Sequence, residues 1–387
     1  MTLKLSQRGR VAPFQVMEIV AQSNALLAQG TSVIRCEVGQ PSTSAPSPAL
    51  LAAQRALDSG DALGYTDSDG LPSLRQGIAD LYRSRYDQGV TASEVVVTAG
   101  ASAACLLSFL AVFEVGDRVG VCEPGYPCYE QMLSSIGCIP VRIPCGVEAH
   151  FRCTPDALEA VGGLAGLVIA SPSNPTGTIM DAASLTAIVQ WCHHNDVWLI
   201  SDEIYHGITS AKSCHSVREF TEEAIVIGSF SKYFSMTGWR VGWTVSRPDV
   251  AEQITHLAAN LFLAPNTIAQ HAAIGALTPT AISECEEHVR RYDVNRQLLS
   301  TALREVGFTT LAPHDGAFYV YANIDPSGCA SNDLATTWLH EFGLAAAPGT
   351  DFDQADGSHW MRFSVAGSTE SILSACEILR HWSLRST

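Results

Sequence analysis

The chain has few positive charges and very few lysines. Lysine and arginine together number 23 against 39 aspartates and glutamates, which gives a formal net charge of −16 over 387 residues. This balance argues against nucleic acid or an anionic membrane as the main partner. An anionic ligand would therefore have to be bound locally, by a few well-placed donors.

Long apolar runs, a secretory leader and paired cysteines are missing as well. The longest apolar stretch, around residues 103–113, is far shorter than the roughly 20 residues of a membrane span, and no apolar segment follows the first eight residues. The twelve cysteines form no CxxC pair, which in a chain of this length indicates buried or incidental thiols in a reducing compartment. We expect a cytoplasmic protein without membrane contact and without a metal site.

What the chain does contain is an alternation of strand and helix patterns. Strand patterns fall at 94–98, 118–122, 139–143, 166–170, 197–201, 224–228 and 241–245, and helical patterns at 13–28, 102–113, 126–136, 155–161 and 182–194. The alternation predicts an α/β fold with a mostly parallel seven-stranded sheet between helices. A long helical pattern at 286–306 leads into a C-terminal α+β segment. We expect a large domain of residues 43–286 and a small one from residues 1–42 and 287–387.

Polar groups follow the predicted strands at the points where those strands end. In an open parallel sheet, ligands bind beyond the carboxyl ends of the strands. The segments at these ends are Gly100-Ala101-Ser102, Tyr126, Asn174, Asp202 with Tyr205, and Ser229-Phe230-Ser231-Lys232. They supply backbone amides, aromatic rings, a carboxamide, a carboxylate, hydroxyls and an amine. A phosphorylated pyridine aldehyde would need these groups.

Lys232 is the most specific of these residues. The only other lysines of the chain, Lys4 and Lys212, lie at the terminus and in a predicted loop. A lysine directly after an apolar strand is costly to bury unless it is neutralised or used covalently. By position alone, Lys232 could also be a solvated loop residue, and its neighbours argue against that alternative.

Those neighbours suit a phosphate group. Ser229, Ser231 and Arg240 bracket the lysine, and hydroxyls together with one guanidinium are good phosphate donors. The predicted helix start at Gly100-Ala101-Ser102 adds free backbone N–H groups and the positive end of a helix dipole. Taken alone, Gly-Ala-Ser at a helix start is a common turn sequence and does not indicate a phosphate site.

The remaining polar residues match the other parts of a pyridine ring and its substrate. Asp202 follows an apolar strand and needs a partner, such as a protonated pyridine nitrogen, or else serves as a helix N-cap or in a salt bridge. Tyr205 and Asn174 can donate to a phenolic oxygen on the ring, and Tyr126 can stack on its face. Arg362, in a strand pattern, suits bidentate capture of a carboxylate, with a surface strand cation as the alternative.

Together these segments resemble the class I/II aminotransferases of pyridoxal 5′-phosphate (PLP) fold type I over nearly the whole chain. The motifs that carry the resemblance are Ser-Pro-Ser-Asn174-Pro-Thr-Gly, Ser-Asp202-Glu-Ile-Tyr205, and Ser229-Phe-Ser-Lys232 followed by Gly238-Trp-Arg240-Val-Gly. The resemblance implies PLP as the cofactor, with Lys232 as its Schiff-base lysine. It also implies ping-pong transamination between an L-amino acid and a 2-oxo acid.

The resemblance further implies roles for the matched residues. The implied catalytic residues are Lys232, Asp202 and Tyr205. The implied cofactor-binding residues are Gly100, Ala101, Ser102, Tyr126, Asn174, Asp202, Tyr205, Ser229, Ser231, Lys232 and Arg240, with Tyr65 reaching the cofactor phosphate of a neighbouring subunit in a homodimer. The implied substrate-binding residues are Gly39, Asn174 and Arg362.

Two cations that some family members use to select substrates are missing here. No lysine or arginine occurs between Arg247 and Arg290, and Ser102 occupies a phosphate-loop position where another subgroup has lysine. We therefore expect neutral or aromatic amino acids rather than strict aspartate specificity. A PLP-dependent carbon–sulfur β-lyase would share every cofactor residue and is one alternative. A non-catalytic PLP-sensing regulatory module is another, disfavoured because no helix-turn-helix segment or basic stretch is visible.

Overall fold

The computed structural model describes residues 3–210 and 213–386, so Lys212 lies outside the described residues. Its strands are, in chain order, β1 Ile34–Arg35, β2 Val95–Thr98, β3 Arg118–Glu123, β4 Ile139–Pro144, β5 Gly166–Ala170, β6 Trp198–Asp202, β7 Ile225–Ser229, β8 Gly242–Val245, β9 Tyr319–Asn323, β10 Leu344–Ala345, β11 Ala347–Pro348 and β12 Trp360–Ser364. Its α-helices are α1 Gln15–Ala28, α2 Ser47–Asp58, α3 Pro72–Tyr86, α4 Ala101–Val112, α5 Cys128–Ile136, α6 Pro155–Val161, α7 Ala182–His194, α8 Pro248–Leu261, α9 Thr267–Ala276, α10 Pro279–Glu305, α11 Ser331–Phe342 and α12 Thr369–Ser386.

The seven predicted strands form one sheet, which confirms the predicted fold class. The strand order is β2-β8-β7-β6-β5-β3-β4. Only β8 runs against its neighbours, β2 and β7, and the remaining pairs are parallel. Sheets of this kind are covered on both faces, which is why their strands are almost continuously apolar.

Alternate residues of the central strands pack into two separate cores, one on each face of the sheet. In β5, Leu167 and Ile169 contribute to one core and Val168 to the other. In β2, Val95 and Val97 face the first core. Because successive side chains of a strand point to opposite faces, each strand is held from both sides. The strand ends that carry the polar groups are therefore rigidly placed.

The chain ends and the C-terminal third form a second, smaller layer of strands. Strands β9, β12 and β11 make an antiparallel sheet, and β1 pairs with β10 in parallel. Helix α10 begins at Pro279 rather than at the predicted position 286, because Thr278 caps it and proline is well suited to the first turn of a helix. The predicted boundary at 286/287 falls inside this helix, and the division into two domains stays a prediction.

None of the helices in the described ranges is long and apolar enough to cross a membrane.

Candidate active site

A cavity of about 280 Å³ opens where the carboxyl ends of the parallel strands meet the smaller layer. Asp202, the last residue of β6, pairs in register with Ala170 at the end of β5, so the ends of these strands lie level. The predicted site residues that line the cavity are Gly39, Ala101, Ser102, Tyr126, Asn174, Asp202, Tyr205, Ser231, Lys232, Arg240 and Arg362. The sequence motifs therefore converge on one site.

Three predicted site residues are not part of the cavity wall. Ser229 lies directly behind it, where its Oγ donates to Ser231 Oγ at 2.9 Å. Gly100 lies against the Arg240 guanidinium. Tyr65 lies at the surface with 84% of its area exposed. Tyr65 could therefore contact a cofactor only in the active site of a second subunit.

Lys232 projects into the cavity from the loop after β7. Its Nζ donates to the carbonyl oxygen of Gly39 at 2.5 Å and lies 5.9 Å from the centre of the Tyr205 ring. Withdrawal from water, together with the positive charges of Arg362 and Arg240, lowers the pKa of Lys232 to about 8, against the opposing effect of Asp202. A substantial fraction of this amine is therefore neutral and nucleophilic at mildly alkaline pH.

Asp202 is buried and held by two donors. Tyr129 donates its hydroxyl to Oδ2, and the backbone N–H of Ile204 donates to Oδ1 at 3.0 Å. Burial raises the pKa of Asp202, while the hydrogen bonds from Tyr129 and Ile204 oppose that rise. A cationic partner in the cavity would favour the ionised carboxylate further.

The sequence reasoning missed Tyr129. It lies at the start of α5, three residues after Tyr126, and the two rings meet edge to face at 5.3 Å. Residues three apart at a helix start share a face. The spacing from Tyr126 could therefore have indicated a second aromatic residue in the same cavity.

One corner of the cavity, formed by Arg240 and the start of α4, is suited to binding an anion, and we call it the anion corner. Arg240 adopts a left-handed backbone conformation (φ 53°), and its Nη1 donates to the Thr237 carbonyl at 3.0 Å. At the start of α4, Gly100 has φ 84°, and a Cβ on this residue would lie 2.5 Å from Arg240 Nη2. Glycine is thus required for the guanidinium to approach the helix start. A guanidinium beside free helix N–H groups suits a phosphate.

Arg362 lies on the opposite side of the cavity and is buried, which excludes a surface strand cation. Its Nη1 donates to Asn174 Oδ1 at 2.8 Å and its Nη2 to the Glu37 carbonyl at 2.5 Å. The guanidinium carbon lies 4.5 Å from the ring centres of both Tyr319 and Phe352. Its Nε has no hydrogen-bond partner among the described residues. A buried guanidinium fixed in this way can bind a carboxylate with little reorganisation.

Tyr205 and Tyr319 join the two sides of the cavity. Their hydroxyls are 2.7 Å apart, and burial raises the pKa of both phenols above the ordinary range. A Cβ on Gly39 would lie 1.9 Å from the Tyr319 hydroxyl oxygen. Glycine at this position therefore allows the Gly39 backbone to approach both Tyr319 and Lys232.

The N-terminal segment provides an apolar wall that sequence reasoning did not identify. Phe14, Val16 and Met17 line the cavity. Asp351 accepts hydrogen bonds from the backbone N–H groups of Gln15 at 3.1 Å and Val16 at 3.2 Å, which anchors the start of α1. The partners are more than 300 residues apart, so no local pattern signals this contact.

Comparison with known proteins identifies the family. Residues 31–379 match the family model described as aminotransferase class I and II. The chain belongs to the class I and II aminotransferases.

Full-length relatives agree with this assignment. The chain is 40% identical to the valine–pyruvate aminotransferase of Mycobacterium tuberculosis (strain ATCC 25618 / H37Rv), over 99% of each chain. It is 32% identical to the (5-formylfuran-3-yl)methyl phosphate transaminase of Methanocaldococcus jannaschii, over 95% of this chain and 96% of that one. A crystal structure of an aminotransferase from M. tuberculosis superposes with a TM-score of 0.97 at 39% identity, covering 99% of this chain and 100% of that one.

The protein is therefore an aminotransferase, and its cofactor is PLP, as predicted. The donor set fits that cofactor: an anion corner, a buried carboxylate and an amine of lowered pKa share one cavity. The comparisons give no support to the β-lyase alternative.

Proposed function

We propose that this aminotransferase transfers the amino group of a neutral L-amino acid, with valine as the leading candidate, to a small 2-oxo acid such as pyruvate. The observation that carries the proposal is the charge of the cavity wall. Among the described residues that line it, the cationic side chains are Lys232, Arg240 and Arg362. If these three serve catalysis, the cofactor phosphate and the substrate α-carboxylate, no cation is left for a second carboxylate.

The apolar side of the cavity supports the same substrate class. Phe14, Val16, Met17 and Val38 line it, and an aliphatic side chain gains free energy by burial against such a surface. A substrate carboxylate in the same place would lose its hydration without a partner, which is costly. The 40% identical valine–pyruvate aminotransferase of M. tuberculosis agrees with this preference.

The residues around Lys232 and the start of α4 would bind the cofactor. Arg240 and the start of α4 would hold the phosphate, with Ser102 and Ser231 as further donors and Ser229 hydrogen-bonded to Ser231. Asp202 would pair with the ring nitrogen. Asn174 and Tyr205 would bind the ring's phenolic oxygen, and Tyr126 would stack on the ring. When bound, PLP supplies an electron sink for the bonds at the substrate's α-carbon.

The protein's own part in the reaction is positioning and proton transfer. Arg362 would bind the α-carboxylate, with Asn174 and the Gly39 backbone beside it, and would so orient the α-carbon toward Lys232. Lys232 Nζ would accept the α-proton, and its lowered pKa makes the neutral base available. Asp202, as an anion, would keep the ring nitrogen of the cofactor protonated.

The test is a set of half-reactions with single amino acids on the purified holoenzyme. Valine, alanine, phenylalanine and aspartate are added separately without a 2-oxo acid, the cofactor absorption is followed, and the keto acid formed is measured. We expect kcat/KM for valine to exceed that for aspartate by at least about tenfold, because an unpaired carboxylate is disfavoured in the site. Equal or faster reaction with aspartate would contradict the substrate proposal. Release of ammonia with return of the original absorption would instead indicate a lyase.

We further propose a homodimer in which Tyr65 reaches the neighbouring cofactor phosphate. Tyr65 is exposed, and the nearby Leu261, Phe262 and Leu263 expose large apolar surfaces. The Tyr65 and Leu263 segments are tied together by a hydrogen bond from Ser68 Oγ to the Leu263 carbonyl at 2.7 Å. Light scattering should report a dimer, and Tyr65→Phe should weaken PLP retention. A fully active monomer would contradict the proposal.

We propose the cytoplasm as the site of action. The support is the chain's twelve free cysteines, most of them buried, which suits a reducing compartment.

A further inference from the structure

Three cysteines outside the catalytic machinery converge on one point. Cys122 lies in β3, Cys145 directly follows β4, and Cys153 directly precedes α6 with its cap Thr154. Their three Sγ atoms all lie within 4.8 Å of one another. The backbone N–H of Cys145 donates to the Glu123 carbonyl at 2.7 Å, which continues the pairing of β3 and β4. The sheet therefore fixes two of the three thiols on neighbouring strands.

The cysteine cluster borders a small cavity. The cavity has a volume of about 20 Å³, and all three cysteines line it together with Thr178. A space of this size holds about one water molecule or one ion. Cys145 and Cys153 are buried, and the buried Oγ1 of Thr178 has no hydrogen-bond partner among the described residues. The thiols themselves make only weak contacts, such as Cys145 Sγ to the Ile143 carbonyl at 3.3 Å.

We propose that Cys122, Cys145 and Cys153 form a binding site for one trivalent thiophilic ion, for which arsenic(III), supplied as arsenous acid, is the probe. Sulfur ligands select soft ions. Zinc in structural sites takes four ligands, whereas no fourth histidine, cysteine or carboxylate of the described chain joins this group. Trivalent arsenic requires only three sulfurs.

Charge balance favours the same ion. The free site is formed by three cysteine thiols, and those of Cys145 and Cys153 belong to buried residues. When As(OH)₃ binds, three As–O bonds are replaced by three As–S bonds. The three thiol protons leave with the three hydroxyls as water, and arsenic stays in its +3 state. The bound complex is neutral, whereas three thiolates around a divalent ion would bury a net negative charge at a large cost.

One cationic side chain also borders the cavity of the cysteine cluster. Arg152 also lines the cavity, but its Nη1 lies 3.1 Å from Asp181 Oδ2, with which it forms an ion pair. The charge of Arg152 is therefore balanced by the Asp181 carboxylate.

The experiment uses the holoenzyme with arsenite, followed by removal of unbound arsenic. Mass spectrometry under native conditions should show one arsenic per chain, with three protons displaced. Cys145→Ala should bind arsenic at least about tenfold more weakly, since even loss of an outer partner costs a metal site that much. Cys285→Ala, which removes a buried cysteine outside the cluster, should bind as the wild type does. Equal binding by Cys145→Ala, or no retained arsenic in the wild type, would overturn the proposal.

X-ray absorption at the arsenic edge of the loaded wild-type enzyme tests the ligand set without any substitution. Three sulfur neighbours and no oxygen are expected. Two sulfurs with an oxygen would overturn the three-thiol assignment, as would a disulfide between any two of these cysteines in the freshly purified enzyme.

Discussion

The two walls of the active-site cavity have different origins in the chain. One wall consists of strand ends and the loops directly after them, and it carries Asp202, Lys232 and Arg240. The other wall is assembled from distant segments, since Arg362 near the C-terminus bonds to the Glu37 carbonyl in the N-terminal part. The first wall is fixed by a sheet that is buried on both faces. The second depends on how the chain ends pack against that sheet.

Because of this difference, we expect the reacting groups to lie on the first wall and the groups that bind and select the substrate to lie on the second. The strand-end wall contains the amine, the carboxylate and the anion corner that every substrate would use. The chain-end wall contains the Arg362 guanidinium, which would bind the α-carboxylate common to all substrates, and the apolar side chains of Phe14 and Met17, which would contact the variable part of a substrate. Substitutions in the first wall should therefore lower kcat for all amino acids, and substitutions in the second should act mainly on KM and on substrate preference.

The largest effect is expected at the strand-end wall from Lys232→Ala. Because we propose that Lys232 transfers the α-proton, its loss should lower kcat by at least about 10²–10⁴-fold. PLP should still bind, because Arg240 and Asp202, the proposed partners of its phosphate and its ring nitrogen, remain. The measurement is steady-state turnover together with PLP content after dialysis, and Lys4→Ala, at an exposed position, is the matched control. Near-normal turnover by Lys232→Ala would show that Lys232 does not take part in the reaction.

At the chain-end wall, Arg362→Gln tests whether the guanidinium binds substrate. Removing one partner of a buried charged interaction typically costs about 2–5 kcal/mol, so kcat/KM should fall by roughly 30- to 4000-fold with the larger part in KM. Arg380→Gln is the control, since its ion pair with Glu305 is half exposed and contributes little. A loss confined to kcat would indicate that Arg362 does not hold the substrate carboxylate.

A smaller effect is expected from Tyr129→Phe, behind the strand-end wall. A hydrogen bond to a charged group contributes about 1.5–3 kcal/mol, so kcat should fall about tenfold or more. Because the Tyr129 hydroxyl lowers the pKa of Asp202, its loss should raise that pKa, and the acid limb of the kcat–pH profile should move to higher pH. Tyr321→Phe removes a buried hydroxyl without a hydrogen-bond partner among the described residues and should leave the profile in place. An unchanged acid limb in Tyr129→Phe would contradict the positioning role.

The contrast between a wall of strand ends and a wall of distant segments also explains which site residues the sequence could predict. The seven strands of the large sheet follow from local apolar patterns, and the motif residues at their ends do meet in one cavity. Arg362 was also predicted as a site residue, although its burial between two aromatic rings was not predicted. The apolar wall of Phe14 and Met17 was missed because Asp351, which anchors it, lies more than 300 residues away. Tyr129 was missed although its spacing from Tyr126 gave a usable local signal.

The smallest expected effect concerns the electrostatic interaction between the two walls. Burial, and after it the positive charge of Arg362 on the opposite wall, lowers the pKa of Lys232 from 10.5 to about 8. The reactive neutral form gains as pH rises through that pKa, so covalent capture of PLP by the cofactor-free enzyme, trapped by borohydride, should accelerate about tenfold between pH 7 and 9. Arg362→Gln removes a positive neighbour and should raise the pKa of Lys232. At pH 8 the variant should therefore capture PLP a few-fold more slowly, while Arg380→Gln should follow the wild-type curve. If the wild-type rate still rose steeply above pH 9, the lysine would have an ordinary pKa, and electrostatic coupling between the walls would be too weak to matter.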